Sequence, residues 1–328
     1  MRKLVSAAVM MAVAFAAAPA SACEKMEKVV AAWLPIMQTT AYYVALEEKL
    51  FEKECIEIES NKMQSPNHII DALVAGRADF GPPGAAAGIA MLAEEKFPGT
   101  FKVFGLQGGG IKVDLINDGL IVKPDSPIKT FADLKGKTLG HVPGIQWRTI
   151  SRKMVKDAGL DPDKDVKLTD LAVPMQVAAV AGGSVDATLS LEPVGSIAVA
   201  SGKAKRAMTN PVASVIADPF YSGAAVLTTK FIKERPAVAK KIVEIIDKAT
   251  DMVNADFEKY KPVIPKYTAI QATQLELLAK PYLRPFHDLK DVDLNSYQAF
   301  VDVFYEDGVM KSKMDVREKI LKLEDFTG

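Results

Sequence analysis

Short apolar runs alternate with helical stretches along most of this chain, and glycine or proline stands at many of the junctions. Val29–Trp33, Ile56–Glu59 and Ala78–Phe80 read as strands. Between them, Ala41–Phe51 and Pro66–Ala75 carry apolar residues at helical spacing. The third strand is predicted to stop at Gly81-Pro82-Pro83-Gly84. A second unit repeats the pattern with strands at Gly119–Lys123, Thr138–His141, Val166–Leu171 and Ala187–Leu191. Helical segments lie between these strands, the longest from about Gln146 to Ala158, with Gly159 positioned as its left-handed cap. Such alternation predicts an α/β fold with two mostly parallel sheets wrapped by helices. After a strand at Ala224–Thr228 the pattern turns helical, at Pro236–Asp256, Ala272–Leu278, Leu294–Asp307 and Asp315–Leu323.

At 328 residues the chain has the length of about two domains, and 49% hydrophobic residues can fill their cores. Basic and acidic residues number 41 each, so the formal charge is zero and no basic stripe argues for nucleic acid. A small solute would have to be recognised locally, in a site, rather than by the field of the whole molecule. The three histidines, His68, His141 and His287, are far apart without metal-ligand spacing. No nucleophile elbow, phosphate loop or dinucleotide fingerprint is present. The sequence therefore names no catalytic residue, no metal site and no cofactor.

Arg2 and Lys3, the apolar run Leu4–Ala18, and then Ala20-Ser21-Ala22 have the order of a secretory signal peptide over residues 1–22. The run falls short of the ~20 apolar residues of a membrane span. The mature chain is expected to begin at Cys23 in the periplasm. Export places Cys23 and Cys55 in an oxidising compartment, where a lone pair tends to join. Both precede expected neighbouring parallel strands, which start at one sheet edge and favour a bridge. Acylation of Cys23 is the competing outcome, but Ala20 stands where a lipoprotein signal has a large aliphatic residue.

Four stretches carry a family resemblance. They are Pro35 with Ala41–Ala45 and Leu50-Phe51, then Ile70–Gly81, Asp125–Lys137, and Gly183–Ala187 running to Glu192-Pro193. In these the chain resembles periplasmic solute-binding proteins of the nitrate, sulfonate and taurine type, which share a superfamily with thiamine-pyrimidine binding proteins. The resemblance implies a type II-like periplasmic binding protein fold. One lobe would be residues 23–112 and 221–328, and the other residues 113–220. Crossing segments are expected near Gly109–Gly119 and Pro219–Val226. It also implies a non-catalytic receptor, monomeric, that closes on a solute and delivers it to the permease of an ABC transporter in the inner membrane. The alternatives are an exported enzyme or pyrimidine-biosynthesis-like protein of the same fold, and a ligand-sensing domain. Gln107–Asp114 departs from the family pattern, so no contacts are carried over there.

Ligands of open α/β sheets sit beyond the carboxyl ends of the strands. That rule selects Thr39, Thr40, Tyr42, Gln64, Asn67 and Pro83 in the first lobe. In the second it selects Gln146, Arg148, Met175 and Glu192. Thr39 and Thr40 would open one helix and Arg148 would lie at the start of another, a setting suited to an anion. Arg148 adds a fork of donors for a carboxylate, sulfonate or phosphate; its other reading is a surface arginine. Glu192 would pair with an amine or hydrogen-bond a neutral heterocycle, or else make a hinge or inter-lobe salt bridge. Tyr42 would stack on a flat ring, and Met175 would make an adaptable apolar wall. The solute expected from this set is anionic or heteroaromatic.

Overall fold

The structure, a computed structural model, describes residues 23–327, so the expected signal peptide lies outside the described residues. Eleven strands form two sheets. The first contains β1 (Glu27–Trp33), β2 (Ile56–Lys62), β3 (Phe80–Ala86), β4 (Phe101–Gly109), β10 (Phe220–Thr228) and β11 (Tyr282–Pro285), in the order β11-β4-β10-β3-β1-β2. The second contains β5 (Asp118–Val122), β6 (Lys137–His141), β7 (Val166–Asp170), β8 (Ala187–Leu191) and β9 (Lys205–Thr209), in the order β7-β6-β8-β5-β9. Each sheet and its helices make one lobe.

The sheets are mixed rather than mostly parallel. β1 pairs in parallel with β2 and β3, and β6 with β7 and β8. The strands that follow each crossing, β5 and β10, run antiparallel to both their neighbours. A chain that arrives from the other lobe is not delivered by a helical crossover, so nothing imposes the parallel direction.

Four local differences from the sequence reading have physical causes. β3 continues through Gly81-Pro82-Pro83-Gly84 with every residue buried. Its pairing with β10 shifts register between Ala224 and Val226, so the two prolines, which cannot donate, are skipped. The first expected helix is two, Thr40–Glu47 and Leu50–Lys53, separated by Lys49 at φ 52°. Of the expected C-terminal helices, Pro236–Ala255 and Asp291–Glu306 are α-helices, whereas the other two are 3-10 turns, at Ala272–Leu277 and Val316–Lys319. The second crossing lies at residues 210–219, because Phe220–Thr228 is already a central strand of the first sheet.

The first lobe has an aromatic core in which Trp33, Tyr42, Tyr43, Phe51 and Phe80 pack edge to face. Its long helix Pro236–Ala255 covers this core with Ile242, Val243, Ile245 and Ile246. The bridge expected from the sequence is present: Cys23 and Cys55 form a disulfide with Cα atoms 5.6 Å apart. That sulfur has no free valence for acylation. Cys55 sits at φ 63° just before β2, where the chain turns into the sheet. Among the described residues no helix is long and apolar enough to cross a membrane.

Candidate functional site

The first crossing, residues 110–117, and the second, residues 210–219, are laced to each other by side chains. Asn210, left-handed at φ 48°, accepts from the Asn117 amide at 2.8 Å and donates to the Leu115 carbonyl at 3.1 Å. Asp218 accepts from the Lys112 amide at 3.0 Å. Beside this hinge the lobes face each other across a cavity of about 620 Å³.

Both lobes contribute to its wall. Leu34–Gln38 follow β1 and Lys62–Pro66 close β2, while Val142, Pro143, Gln146 and Trp147 follow β6 and open the helix Ile145–Asp157. Val173, Pro174 and Val177 come after β7, and Leu191–Val194 with Ile197 after β8. Thr268–Ile270 and Gln274 complete it from the first lobe, where the turn Ala272–Leu277 packs on the second lobe's helix Val194–Ala200. These are the strand-end loops that an α/β sheet offers to ligands. The lining is mainly aliphatic, proline and methionine side chains, with one aromatic, Trp147.

Of the residues selected from sequence, Gln64, Gln146 and Glu192 line this cavity. Gln146 has a structural task too. Its Oε1 accepts from the Gly88 amide at 2.9 Å, and its Nε2 donates to the Ser222 carbonyl at 2.8 Å. Gly88 lies in the first turn of the helix Ala87–Lys96, whose own N-cap, Ala86, offers no side-chain acceptor. A side chain from one lobe thus caps a helix of the other.

Glu192 is almost wholly buried, and its carboxylate is engaged within its own lobe. Oε1 accepts from Arg206 Nη2, and Oε2 accepts from the Ser196 amide at 3.3 Å at the start of the helix Val194–Ala200. A Cβ on Gly195 would meet both Arg206 Nη2 and Glu192 Oε1 at 2.8 Å, so glycine there makes room for the pair. Glu192 is therefore neither a free ligand charge nor an inter-lobe bridge. No sequence signal points to Arg206, which lies on the half-buried strand β9.

Next to this pair lies Asp118, with no exposed surface. It accepts from Asn117 Nδ2 at 2.9 Å and from the Val212 amide at 3.2 Å. Burial pushes its carboxyl up to about 6, and the neighbouring Glu192 adds to that rise against the pull of its hydrogen bonds and Arg206.

The remaining candidates lie elsewhere. Tyr42 is sealed in the aromatic core, its hydroxyl donating to Ser60 Oγ at 2.7 Å. Thr40 donates to the Met37 carbonyl at 2.5 Å, and neither Thr39 nor Thr40 caps its helix by side chain. Both are fully buried behind the wall. Pro83 is inside β3. Asn67 stands at the rim, where its Oδ1 would meet a Cβ on Gly144 at 2.9 Å. Arg148 is exposed and off the cavity, because its helix turns Gln146, Trp147, Thr149 and Ile150 inward and leaves position 148 outside. Met175 is 58% exposed and likewise off the wall. Gln38, in the loop after the first strand that the strand-end rule also picks out, is 5% exposed and lines the cavity, as do Ser222, Thr268 and Gln274, which that rule does not reach.

Comparison with known proteins agrees with this architecture. A putative binding protein of Brucella abortus is 24% identical over 291 residues, 86% of each chain. The putative aliphatic sulfonates-binding protein of Escherichia coli is 24% identical over 294 residues, 87% of this chain and 86% of that one. A yeast 4-amino-5-hydroxymethyl-2-methylpyrimidine phosphate synthase, THI13 of Saccharomyces cerevisiae, is 22% identical over 246 residues, 68% of this chain and 66% of that one. The crystal structure of the periplasmic aliphatic sulphonate binding protein SsuA from Escherichia coli shares the fold at TM-score 0.71 and 20% identity, covering 90% of this chain and 92% of that one. Residues 36–259, which run through both sheets and both crossings, match the NMT1/THI5-like family, and the chain belongs to it.

Proposed function

We propose that this protein is the solute receptor of an ABC importer, working outside the cytoplasm as a monomer and handing its solute to a membrane permease. The carrying observation is the cavity itself. Its wall is built from strand-end loops of two lobes joined by two laced crossings, so neither lobe surrounds a solute alone. Binding would close the lobes, and only the difference in affinity between closed and open states can drive that closure. The names of the Escherichia coli and Brucella relatives, both called binding proteins, support the reading. So does the signal-like segment 1–22.

An enzyme is the second reading, favoured by the yeast relative, which is named a synthase. Among the described residues the wall carries no His, Cys, Tyr or Asp; its one carboxylate, Glu192, is committed to Arg206, Lys62 is exposed, and the hydroxyls of Ser65, Ser222 and Thr268 have no histidine or free carboxylate in the wall to activate them. Acid–base or nucleophilic chemistry needs such a group within hydrogen-bond reach of the substrate, and the receptor reading does not.

The test is a thermal-shift screen over sulfonates and nitrate, pyrimidines, flavins, and neutral apolar amides, followed by recovery of the hit. A ligand bound only by the folded state raises the melting temperature. The expected outcome is a shift with quantitative recovery of unchanged solute. A converted product would establish the enzyme instead. Failure of every class to shift the transition would remove the receptor reading.

A further inference from the structure

The cavity wall has almost no usable charge. Lys62 and Glu192 are the only ionisable side chains among its described residues. Lys62 is exposed at the end of β2, where water and salt screen it. Glu192 is neutralised by Arg206 and caps a helix start, which consumes that helix's positive end as well. Ser65 does the same for the helix Pro66–Val74 through the His68 amide. Asp118 stands behind Leu191 and Glu192, paired across from Leu191 in the sheet, so the ionisable groups buried nearest the second lobe's wall are two carboxylates, one guanidinium and His141, which burial holds toward its neutral form. An anion would enter a site whose nearest buried field is neutral to negative. A cation would find no carboxylate free to receive it.

Among the polar side chains of the wall, Gln64 is exposed, whereas Gln38 carries a buried acceptor whose orientation is set by a chain of partners. Asp118, as a carboxylate, only accepts, so Asn117 must turn Nδ2 toward it. Asn117 Oδ1 is thereby left as an acceptor, taking Ser222 Oγ at 3.4 Å and Gln38 Nε2 at 3.5 Å. Gln38 must then turn Oε1 away from Asn117, and that oxygen is buried without a partner. An unpaired buried acceptor destabilises its surroundings, a cost that a matching donor relieves.

Resting on the receptor reading, we infer that the solute carries no net charge and presents an N–H or O–H donor to Gln38 Oε1 from an otherwise apolar body. The aliphatic wall of Ile36, Met63, Val142, Pro174, Val177 and Ile197 takes the body. A cavity of about 620 Å³ is ample for a molecule of drug-like size.

Three probes of matched length test this on the mature protein by calorimetry: octanamide, N,N-dimethyloctanamide and octanesulfonate. Octanamide should bind at least about tenfold tighter than either of the others, the first comparison isolating the donor and the second the charge. Its affinity should move less than about twofold between low and high salt, because no screened charge holds it. In Gln38→Leu the preference for octanamide over its dimethyl analogue should disappear, while the melting temperature reports whether the variant folds. Equal or tighter binding of octanesulfonate would overturn the uncharged solute and leave the receptor reading standing. Equal binding of the two amides would overturn the donor. Silence from all three probes would overturn the inference as a whole, whereas the receptor reading is decided by the wider screen.

Discussion

The two lobes are held together by opposite means. The six-stranded lobe is closed by a covalent staple, Cys23–Cys55, and by a core of aromatic rings. The five-stranded lobe has no disulfide and places Asp118, Glu192 and Arg206 at its cavity-facing edge, with Gly119 and Gly195 giving Arg206 its space. Apolar packing and a disulfide are indifferent to small changes in their surroundings. A buried charge cluster is not: its members are mutually dependent, and removing one leaves the others uncompensated. The difference assigns rigidity to the larger lobe. Sensitivity to pH and to substitution falls on the smaller one, next to the hinge.

Removing Arg206 should break that contrast most severely. Arg206→Leu strands two carboxylates in a site from which water is largely excluded, and should destabilise by about 3–5 kcal/mol. Denaturant unfolding with a probe in each lobe is the measurement. Loss of the second lobe's transition ahead of the first is expected, and an unaltered midpoint would mean that the pair is solvated.

The staple comes next. A cysteine-free variant, Cys23→Ser with Cys55→Ser, releases a loop with a sequence separation of 32 and should cost roughly 3–4 kcal/mol on the chain-entropy account. The loss should fall on the first lobe alone. A loss shared equally between lobes would show that they unfold as one cooperative unit.

Acid titration sharpens the same comparison. Asp118 has a folded value of about 6 against 3.8 for a free carboxyl, so between these values the folded chain holds a proton that the unfolded chain has released. By linkage, its contribution favours folding on the acid side. That contribution declines as pH rises through the window from about 4 to about 6, by up to about 3 kcal/mol. Asp118→Asn should flatten the profile there. An unchanged profile would mean that this carboxyl is not the titrating group.

Much of the fold was legible because its elements obey local rules. The β1 and β2 strands, the helix Pro66–Val74 and the unit from β5 to β8 follow from apolar period and from glycine or proline punctuation. The disulfide was legible from compartment and strand order. The errors lie where tertiary context overrides local signals. Tyr221-Ser222-Gly223 reads as a hinge, yet it belongs to β10, packed between β3 and β4 so closely that a Cβ on Gly108 would meet the Phe220 carbonyl at 1.8 Å. Small residues there serve strand contact rather than flexibility. β9, with Lys205 and Arg206 at its start, has no apolar alternation to betray it, and Arg206 was lost with it. Loop membership placed Arg148 and Met175 in the site, but helical phase and exposure remove them. The strand-end rule reached the loop that holds Gln38 but could not single it out from its neighbours, because its meaning comes from Asn117, 79 residues away.

The smallest expected effect concerns the contact between the lobes. Gln146 contributes two hydrogen bonds to the first lobe, at Gly88 and Ser222, and both would be lost in Gln146→Ala. Each is worth about 0.5–1.5 kcal/mol net, so the variant should favour separation of the lobes by roughly 1–3 kcal/mol, toward the low end where water replaces the lost partners. A second tie limits the change. Arg152, from the same helix, donates through Nε to Asp307 at 2.9 Å, and Lys156 reaches the same carboxylate. The Asp307 side chain is 7% exposed, so this tie is stronger than a surface pair and should survive. Small-angle scattering of the free protein should therefore show a modest increase in radius of gyration for Gln146→Ala and a further increase when Asp307→Asn is added. Affinity for a solute should fall in step, because the competent closed form is a smaller fraction of the population. If Gln146→Ala leaves both radius and affinity unchanged, the capping of the Ala87–Lys96 helix is decorative and the hinge alone sets closure. If it abolishes binding without changing the radius, Gln146 is a direct ligand contact, and the small lobe supplies a polar contact to the solute as the large one does through Gln38.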